Sequence, residues 1–269
     1  MTSTTGSNVL RRLWSEGRGT LGAWCQIPSP LSAEIMAQCG YDWVCVDMQH
    51  GPTGVEALGA MVQSISVAGA APIVRVPSNE PWLIGRALDL GASGVIVPLV
   101  NAPDEAERAA AACRYPPAGR RSYGPVRAPS AAGTDTEACN DHVLCLVMIE
   151  TREGVENVER ICAVPGVDGV YIGPWDLGLS HGLAGPGPEL DPIVERILAS
   201  CRRQGIAAGI ATGSGEAARA YLDSGFVFAG VRSDVDLLAE AAGRELAGAR
   251  VEAGARAEAA GAGLVRVAL

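Results

Sequence analysis

The 269-residue sequence predicts a single α/β domain folded as a (β/α)8 TIM barrel. Short unbroken apolar runs alternate with helical stretches, and eight such strand-helix units can be counted along the chain. The length is also near that of one such barrel, about 250 residues. Strands buried on both faces read as continuous Val, Ile and Leu runs, without the polar alternation of a half-exposed sheet. With 48% hydrophobic but only 4% aromatic residues, the expected core is aliphatic rather than built from rings.

Taken in order, residues 1–8 are expected to be disordered, and 9–16 to form an amphipathic helix that closes the bottom of the barrel. Strands follow at 21–27, 43–48, 72–76, 94–100, 144–149, 169–173, 206–211 and 226–231. Helices are expected at 31–39, 54–68, 81–90, 103–114, 153–161, 190–204, 215–224 and 235–252, the fourth beginning with an N-terminal proline. Residues 115–143, YPPAGRRSYGPVRAPSAAGTDTEACNDHV, lack periodicity and read as a long loop, a type that usually carries function. The Ala/Gly-rich tail from residue 253 reads as a surface extension, and 235–269 as a candidate oligomer contact. No linker divides the chain, so 1–269 is expected to be one domain.

A net charge of −9 and a pI near 4.9 argue against nucleic acid or an anionic membrane surface as a partner, since both require a basic footprint. Eight cysteines at irregular spacings, several within apolar runs and none in a CxxC pair, read as reduced core residues of a cytoplasmic protein. No apolar run reaches membrane-spanning length, and the N-terminus lacks a secretory signal pattern.

In a parallel barrel the C-terminal strand ends converge on one face, where function is expected. Glu150 and Asp176 follow two consecutive strands there, and paired carboxylates suit a hard divalent cation such as Mg²⁺ or Mn²⁺. Each alone is more often a cap of the turn or helix that follows than a ligand, and it is their matched placement at two strand ends that favours metal. His50 ends the second strand and is one of three histidines, a candidate general base near neutral pH. Arg75 lies in the apolar strand PIVRVP and must find an anion, either substrate or a buried partner such as Asp47 or Glu150. Asp89, in ALDLGASG, is a weaker candidate because the same pattern ends an ordinary helix. All 21 basic residues are arginine, so a lysine Schiff base is excluded.

The segments YDWVCVDMQHGP, RALDLGASGVIVPLV, RYPPAGRRSYGP, VMIETREGVEN and VDGVYIGPWDL together resemble the HpcH/HpaI family of metal-dependent (class II) pyruvate aldolases, from about residue 21 to 238. The resemblance implies reversible cleavage of a 4-hydroxy-2-oxo acid to pyruvate, or a related 2-oxo acid, and an aldehyde. It implies that Glu150 and Asp176 hold Mg²⁺ or Mn²⁺, with Co²⁺ as a further candidate, that Arg75 contacts the keto oxygen, and that His50 paired with Asp89 is the base. Gly173, Pro174 and Trp175 would receive the substrate carboxylate; Arg121, Ser122 and Tyr123 would border the aldehyde. A homo-oligomer, often a hexamer built as a trimer of dimers, is the implied assembly. Three positions depart from the family pattern: Gln49 where a Glu is common, Met148 where a Gln is common, and Trp175 where a small residue is common. Related barrels turn the same enolate to oxaloacetate decarboxylation with carbon-carbon bond formation, as in macrophomate synthase, or cleave hydroxyacyl-CoA thioesters. A non-catalytic metal and oxo-acid binder is the alternative outside enzymes.

Overall fold

Eight parallel strands close into a barrel in sequence order, β1 (Thr20–Cys25), β2 (Trp43–Asp47), β3 (Ala71–Arg75), β4 (Gly94–Val97), β5 (Leu144–Ile149), β6 (Gly169–Ile172), β7 (Ala207–Ala211) and β8 (Phe228–Ser233), with β8 pairing back onto β1. The computed structural model describes residues 8–124, 126–127 and 133–260. Helices α1 (Val9–Ser15), α2 (Pro30–Gln38), α3 (Val55–Val67), α4 (Pro81–Asp89), α5 (Pro103–Cys113), α6 (Thr136–His142), α7 (Arg152–Glu156), α8 (Val158–Cys162), α9 (Pro174–Ser180), α10 (Asp191–Gln204), α11 (Gly215–Asp223) and α12 (Asp234–Ala260) complete it. The expected fold is therefore the observed one.

Each strand alternates between two buried layers, which is why polar alternation is missing from its sequence. One set, including Val44, Val46, Val74, Val95, Val147, Ile149, Val170, Ile172 and Ile210, packs outward against the helices and is aliphatic as expected. The inward set is not. Trp24, Trp43, Tyr171 and Phe228 gather inside the barrel with Ile73, Ile96, Leu144, Leu146 and Met148, their rings in mutual edge and tilted contact. Four of the chain's twelve aromatic residues thus fill the barrel interior. Glycines make room for them: a Cβ on Gly22 would enter the Trp43 ring, and one on Gly209 the Phe228 ring. Gly22→Ala should therefore destabilise the protein by about 1–3 kcal/mol, the usual cost of overpacking a core, read as a lowered denaturant midpoint. An unchanged midpoint would mean that the interior yields more readily than its packing implies.

The element boundaries depart from expectation in instructive places. Asn8 was expected to be disordered but is fully buried: its Oδ1 accepts from Leu10 N, capping α1, while its Nδ2 donates to the carbonyls of Ser93 and His142. A side-chain amide thus anchors α1 under the barrel. Residues 1–7 lie outside the described residues. The helix expected at 153–161 is broken at Asn157, whose Nδ2 donates to Asn101 O, so α7 and α8 are separate turns. Residues 136–142, expected as loop, form α6, capped by Asp135. The last helix runs on to Ala260 rather than ending near 252, and residues 261–269 lie outside the described ones. All eight cysteines are free thiols, only Cys39 being exposed. Among the described residues no helix is long and apolar enough to cross a membrane.

Candidate active site

The inward register that fills the barrel continues upward into polar residues. On β2 the inward series Trp43, Cys45 ends at Asp47; on β3, Ala71, Ile73 ends at Arg75; after β5, Leu144, Leu146, Met148 leads to Glu150. Side chains two apart share a face of a strand, so these polar groups cap the aromatic interior at the C-terminal mouth. A cavity of about 790 Å³ opens there, with Trp24, His50, Arg75, Met148, Gly173, Asp176 and Arg232 on its wall.

Glu150 is 1% exposed. It does not cap α7, a task done by Thr151, whose Oγ1 accepts from Gly154 N. Instead its Oε1 accepts from Leu99 N at 2.8 Å, and Leu99 takes a left-handed φ of 53°, a strained backbone for a residue with a branched side chain. Oε2 is buried without any hydrogen-bond partner among the described residues. Space beside it is kept by Gly173, where a Cβ would come within 2.6 Å of Oε2. Burial pushes the Glu150 carboxyl above its ordinary value, against the Leu99 N–H, and the nearby Asp176 charge adds to the rise. Asp176 sits in the first turn of α9, a helix the sequence did not announce, and is exposed with no side-chain cap bond.

An orphaned buried oxygen, a second carboxylate close enough to repel it, and a glycine-cleared space are what a hard cation with oxygen ligands requires. The residues fit a divalent ion. No group of three or more His, Cys, Asp and Glu gathers among the described residues, so Glu150 and Asp176 would hold it with substrate or water oxygens filling the other positions.

Arg75 meets the buried partner that was one of its two expected roles. Its Nε and Nη2 donate to Asp47 Oδ1 and Oδ2 at 2.9 and 2.7 Å, and its guanidinium lies over the Trp24 ring, 4.7 Å from the centroid. Asp47 is wholly buried; burial works to raise its carboxyl, but the bonds from Arg75 outweigh that and hold it below the ordinary value. Gln26 Nε2 and the backbone N–H groups of Gln49 and His50 also donate to Asp47. Asp47 thus joins the strand-end arginine to the turn that carries His50, a positioning role that the sequence reading had limited to ion pairing. His50 is exposed on the cavity wall, and its ring has no hydrogen-bond partner among the described residues.

Asp89 is not that partner. It ends α4, which descends from the mouth, and its Oδ1 accepts from Arg121 Nη2 at 2.7 Å. Arg121 in turn stacks on Tyr115, 4.5 Å from its centroid. Asp89, Arg121 and Ser122 line a different cavity, of about 1020 Å³, between α4 and α5 on the outside of the barrel. Tyr123 is exposed and leans on Tyr115. Within one chain, then, the expected His50–Asp89 pair is not formed, and Arg121, Ser122 and Tyr123 do not border the cavity. Gly173, Pro174 and Trp175 do, together with Ala211, Thr212, Gly213, Tyr221, Arg232 and Asp236, which the sequence reading missed. Arg232 lies where β8 shifts register against β1, between Gly230 and Ser233, so the alternation of the strand does not reveal it.

A closed parallel barrel with its carboxylates, arginine and histidine at the C-terminal mouth defines a barrel enzyme. Residues 20–241 match the family model described as HpcH/HpaI aldolase/citrate lyase. The chain is 41% identical over 248 residues to a hydroxypyruvate/pyruvate aldolase of Rhizorhabdus wittichii, covering 90% of this chain and 99% of the relative. It is 39% identical over 223 residues to a 2-dehydro-3,6-dideoxy-6-sulfogluconate aldolase of Pseudomonas putida, covering 81% and 88%. The crystal structure of an HpcH/HpaI aldolase/citrate lyase family protein from Burkholderia cenocepacia superposes with a TM-score of 0.83 at 36% identity, covering 90% of this chain and 98% of that one. The chain belongs to the HpcH/HpaI aldolase/citrate lyase family and is a carbon-carbon lyase.

Proposed function

We propose that the protein is a divalent-metal-dependent aldolase that interconverts a 4-hydroxy-2-oxo acid with pyruvate, or a related 2-oxo acid, and an aldehyde. The observation that carries the reading is the partnerless, buried Oε2 of Glu150 beside Asp176, in a cavity that also holds Arg75 and His50. A bound divalent ion supplies Lewis-acid stabilisation of negative charge on the oxo acid's oxygens. Arg75 presents a fixed cation to the keto oxygen as that charge develops, and Asp47 removes the cost of orienting it at the moment of reaction. His50 takes the proton that leaves the pyruvate methyl carbon, directly or through a water. That carbon then bonds to the aldehyde carbon, and the aldehyde oxygen gains a proton to become the 4-hydroxyl. The backbone of Gly173 to Trp175, at the N-terminus of α9, receives the substrate carboxylate. The placement of Asp89 and Arg121 on the outer face is consistent with a homo-oligomer in which they serve another subunit.

Solvent deuterium exchange into the pyruvate methyl tests this directly. Exchange should require Mg²⁺ or Mn²⁺, vanish in EDTA and return when metal is restored. Full activity in EDTA would refute the metal-dependent class, and absence of exchange with metal present would refute the enolate chemistry.

Arg75→Lys keeps a charge but cannot grip Asp47 through two parallel bonds, so it should lower kcat/KM by roughly ten- to a hundredfold and also lower stability. Lost stability with an unchanged rate would confine Arg75 to a structural ion pair.

A further inference from the structure

Among the described residues Leu99 is the one non-glycine residue with a left-handed backbone, and the chain around it holds it there. β4 ends at Val97, paired with Val147, and the chain returns to β5 at Val100, whose N–H donates to Met148 O at 3.2 Å. Asn101 is then locked on three sides. Its N–H donates to Glu105 Oε2 at 2.6 Å, its carbonyl accepts from Asn157 Nδ2 at 2.8 Å, and its Oδ1 accepts from the Thr151 hydroxyl. On the near side the ring of Pro98 fixes its own φ. The turn at Leu99 is thus closed from both ends, the condition under which a strained backbone persists. Its side chain gives no reason for the strain, since Leu99 is 50% exposed and belongs to neither layer of the core. What the turn achieves is the direction of its N–H. That group donates to Glu150 Oε1 at 2.8 Å and leaves Oε2, beside Gly173, as the oxygen without a partner among the described residues.

We propose that Leu99 is a positioning residue of the metal site, and that its N–H makes Glu150 a one-oxygen ligand, which suits the site to small octahedral ions and sets it against Ca²⁺. The inference rests on the metal-dependent reading and adds to it which ions the site accepts. Mg²⁺ demands near-octahedral geometry with ligands at about 2.0–2.1 Å, whereas Ca²⁺ takes about six to eight oxygens and readily binds a carboxylate through both of its own. A buried carboxylate with one oxygen engaged by a fixed peptide N–H does not turn to offer both. Its remaining oxygen, with Asp176, leaves most of an octahedron to substrate and water, a poor set for the larger ion. The strain at Leu99 is therefore tied to the site: relaxing the turn releases Oε1.

The test titrates Mn²⁺ and Ca²⁺ calorimetrically, each with pyruvate present, into EDTA-stripped and dialysed parent protein and its Leu99→Gly, Leu99→Val and Leu99→Pro variants. The parent should bind Mn²⁺ more tightly than Ca²⁺. Leu99→Gly keeps the N–H on a backbone at ease with a left-handed φ, so its Mn²⁺ affinity should stay within about threefold of the parent's. Leu99→Val keeps the N–H but disfavours that φ, and should weaken Mn²⁺ binding roughly tenfold. Leu99→Pro removes the N–H altogether and should weaken it by roughly ten- to a hundredfold, the cost of losing a group that supports a ligand. In both of these variants the preference for Mn²⁺ over Ca²⁺ should narrow. A side chain that mattered by packing would give the reverse order, Val mild and Gly harmful, so the Gly and Val variants decide the matter even if Leu99→Pro folds poorly. A Gly variant no tighter for Mn²⁺ than the Val variant, or a Mn²⁺ to Ca²⁺ ratio unmoved in the Val variant, overturns the role of Leu99 alone, in a parent that still binds Mn²⁺. A parent that binds neither ion overturns the metal-dependent reading and this inference together.

Discussion

Glu150→Gln is expected to abolish metal-dependent turnover while leaving the barrel intact. The substitution preserves shape and the bond from Leu99 N but removes the charge that a cation needs, so metal affinity should fall by more than the roughly 10–100-fold cost of losing a mere supporting group. Strand-end residues at this face serve activity more than stability. The sign of the pH effect follows from burial. The Glu150 carboxyl is raised, so in the metal-free protein the folded state holds its proton more tightly than the unfolded chain does. Ionisation is then a burden: stability from this group is present at low pH and is lost as pH rises through the raised value. Metal competes with the same proton, so its affinity weakens as pH falls through that value. Glu150→Gln should remove both dependences and leave the metal-free protein at least as stable as the parent near neutral pH. Thermal melts in EDTA across pH, with calorimetric titration of Mn²⁺, would show this; a variant that still binds Mn²⁺ and turns over would take Glu150 out of the metal site. Asp176→Asn should lose turnover too.

His50→Ala should slow deuterium exchange into pyruvate by roughly two to four orders of magnitude, the usual contribution of a positioned acid-base group. Metal affinity should change little, because imidazole is not among the ligands. The turn that carries His50 is fixed from below by Asp47 through backbone bonds, so removing the ring leaves that anchor in place. Gln49 stands beside the base, with a buried Oε1 that has no partner among the described residues. Gln49→Glu places negative charge beside the imidazole, so the acid limb of the exchange rate should move to higher pH. An unmoved limb would show that residue 49 does not sense the base, and normal exchange in His50→Ala would remove His50 from the reaction.

The barrel was legible because strands buried on both faces have no polar alternation to confuse with a half-exposed sheet, and their spacing by helical stretches left few other topologies. The polar residues at strand ends were legible for the same reason. Glu150 and Arg75 interrupt or end runs that are otherwise wholly apolar, and each now stands on the inward register. Asp89 was tied to His50 by resemblance rather than by topology. A helix that starts at the mouth with Pro81 must end far from it, so the direction of α4 alone argues against that pairing within one chain. Asp47 was visible as a strand-end carboxylate, but its four donor residues come from the position after β1, from β3 and from its own turn, a convergence that no local pattern encodes. The aromatic interior was hidden by composition, because four rings scattered over β1, β2, β6 and β8 leave no signature in any window.

Those rings bear on how such an enzyme changes its preference over generations. Trp43 is fitted to Gly22, Phe228 to Gly209, and Tyr171 with Trp24 to Gly230, so neither member of a pair can vary without its counterpart. The floor beneath the cavity is one interlocked set, and its Trp24 also lies against Arg75 at the mouth. A change among these rings therefore needs its glycine changed as well, whereas the exposed Trp175 at the rim meets its glycine, Gly185, outside the barrel.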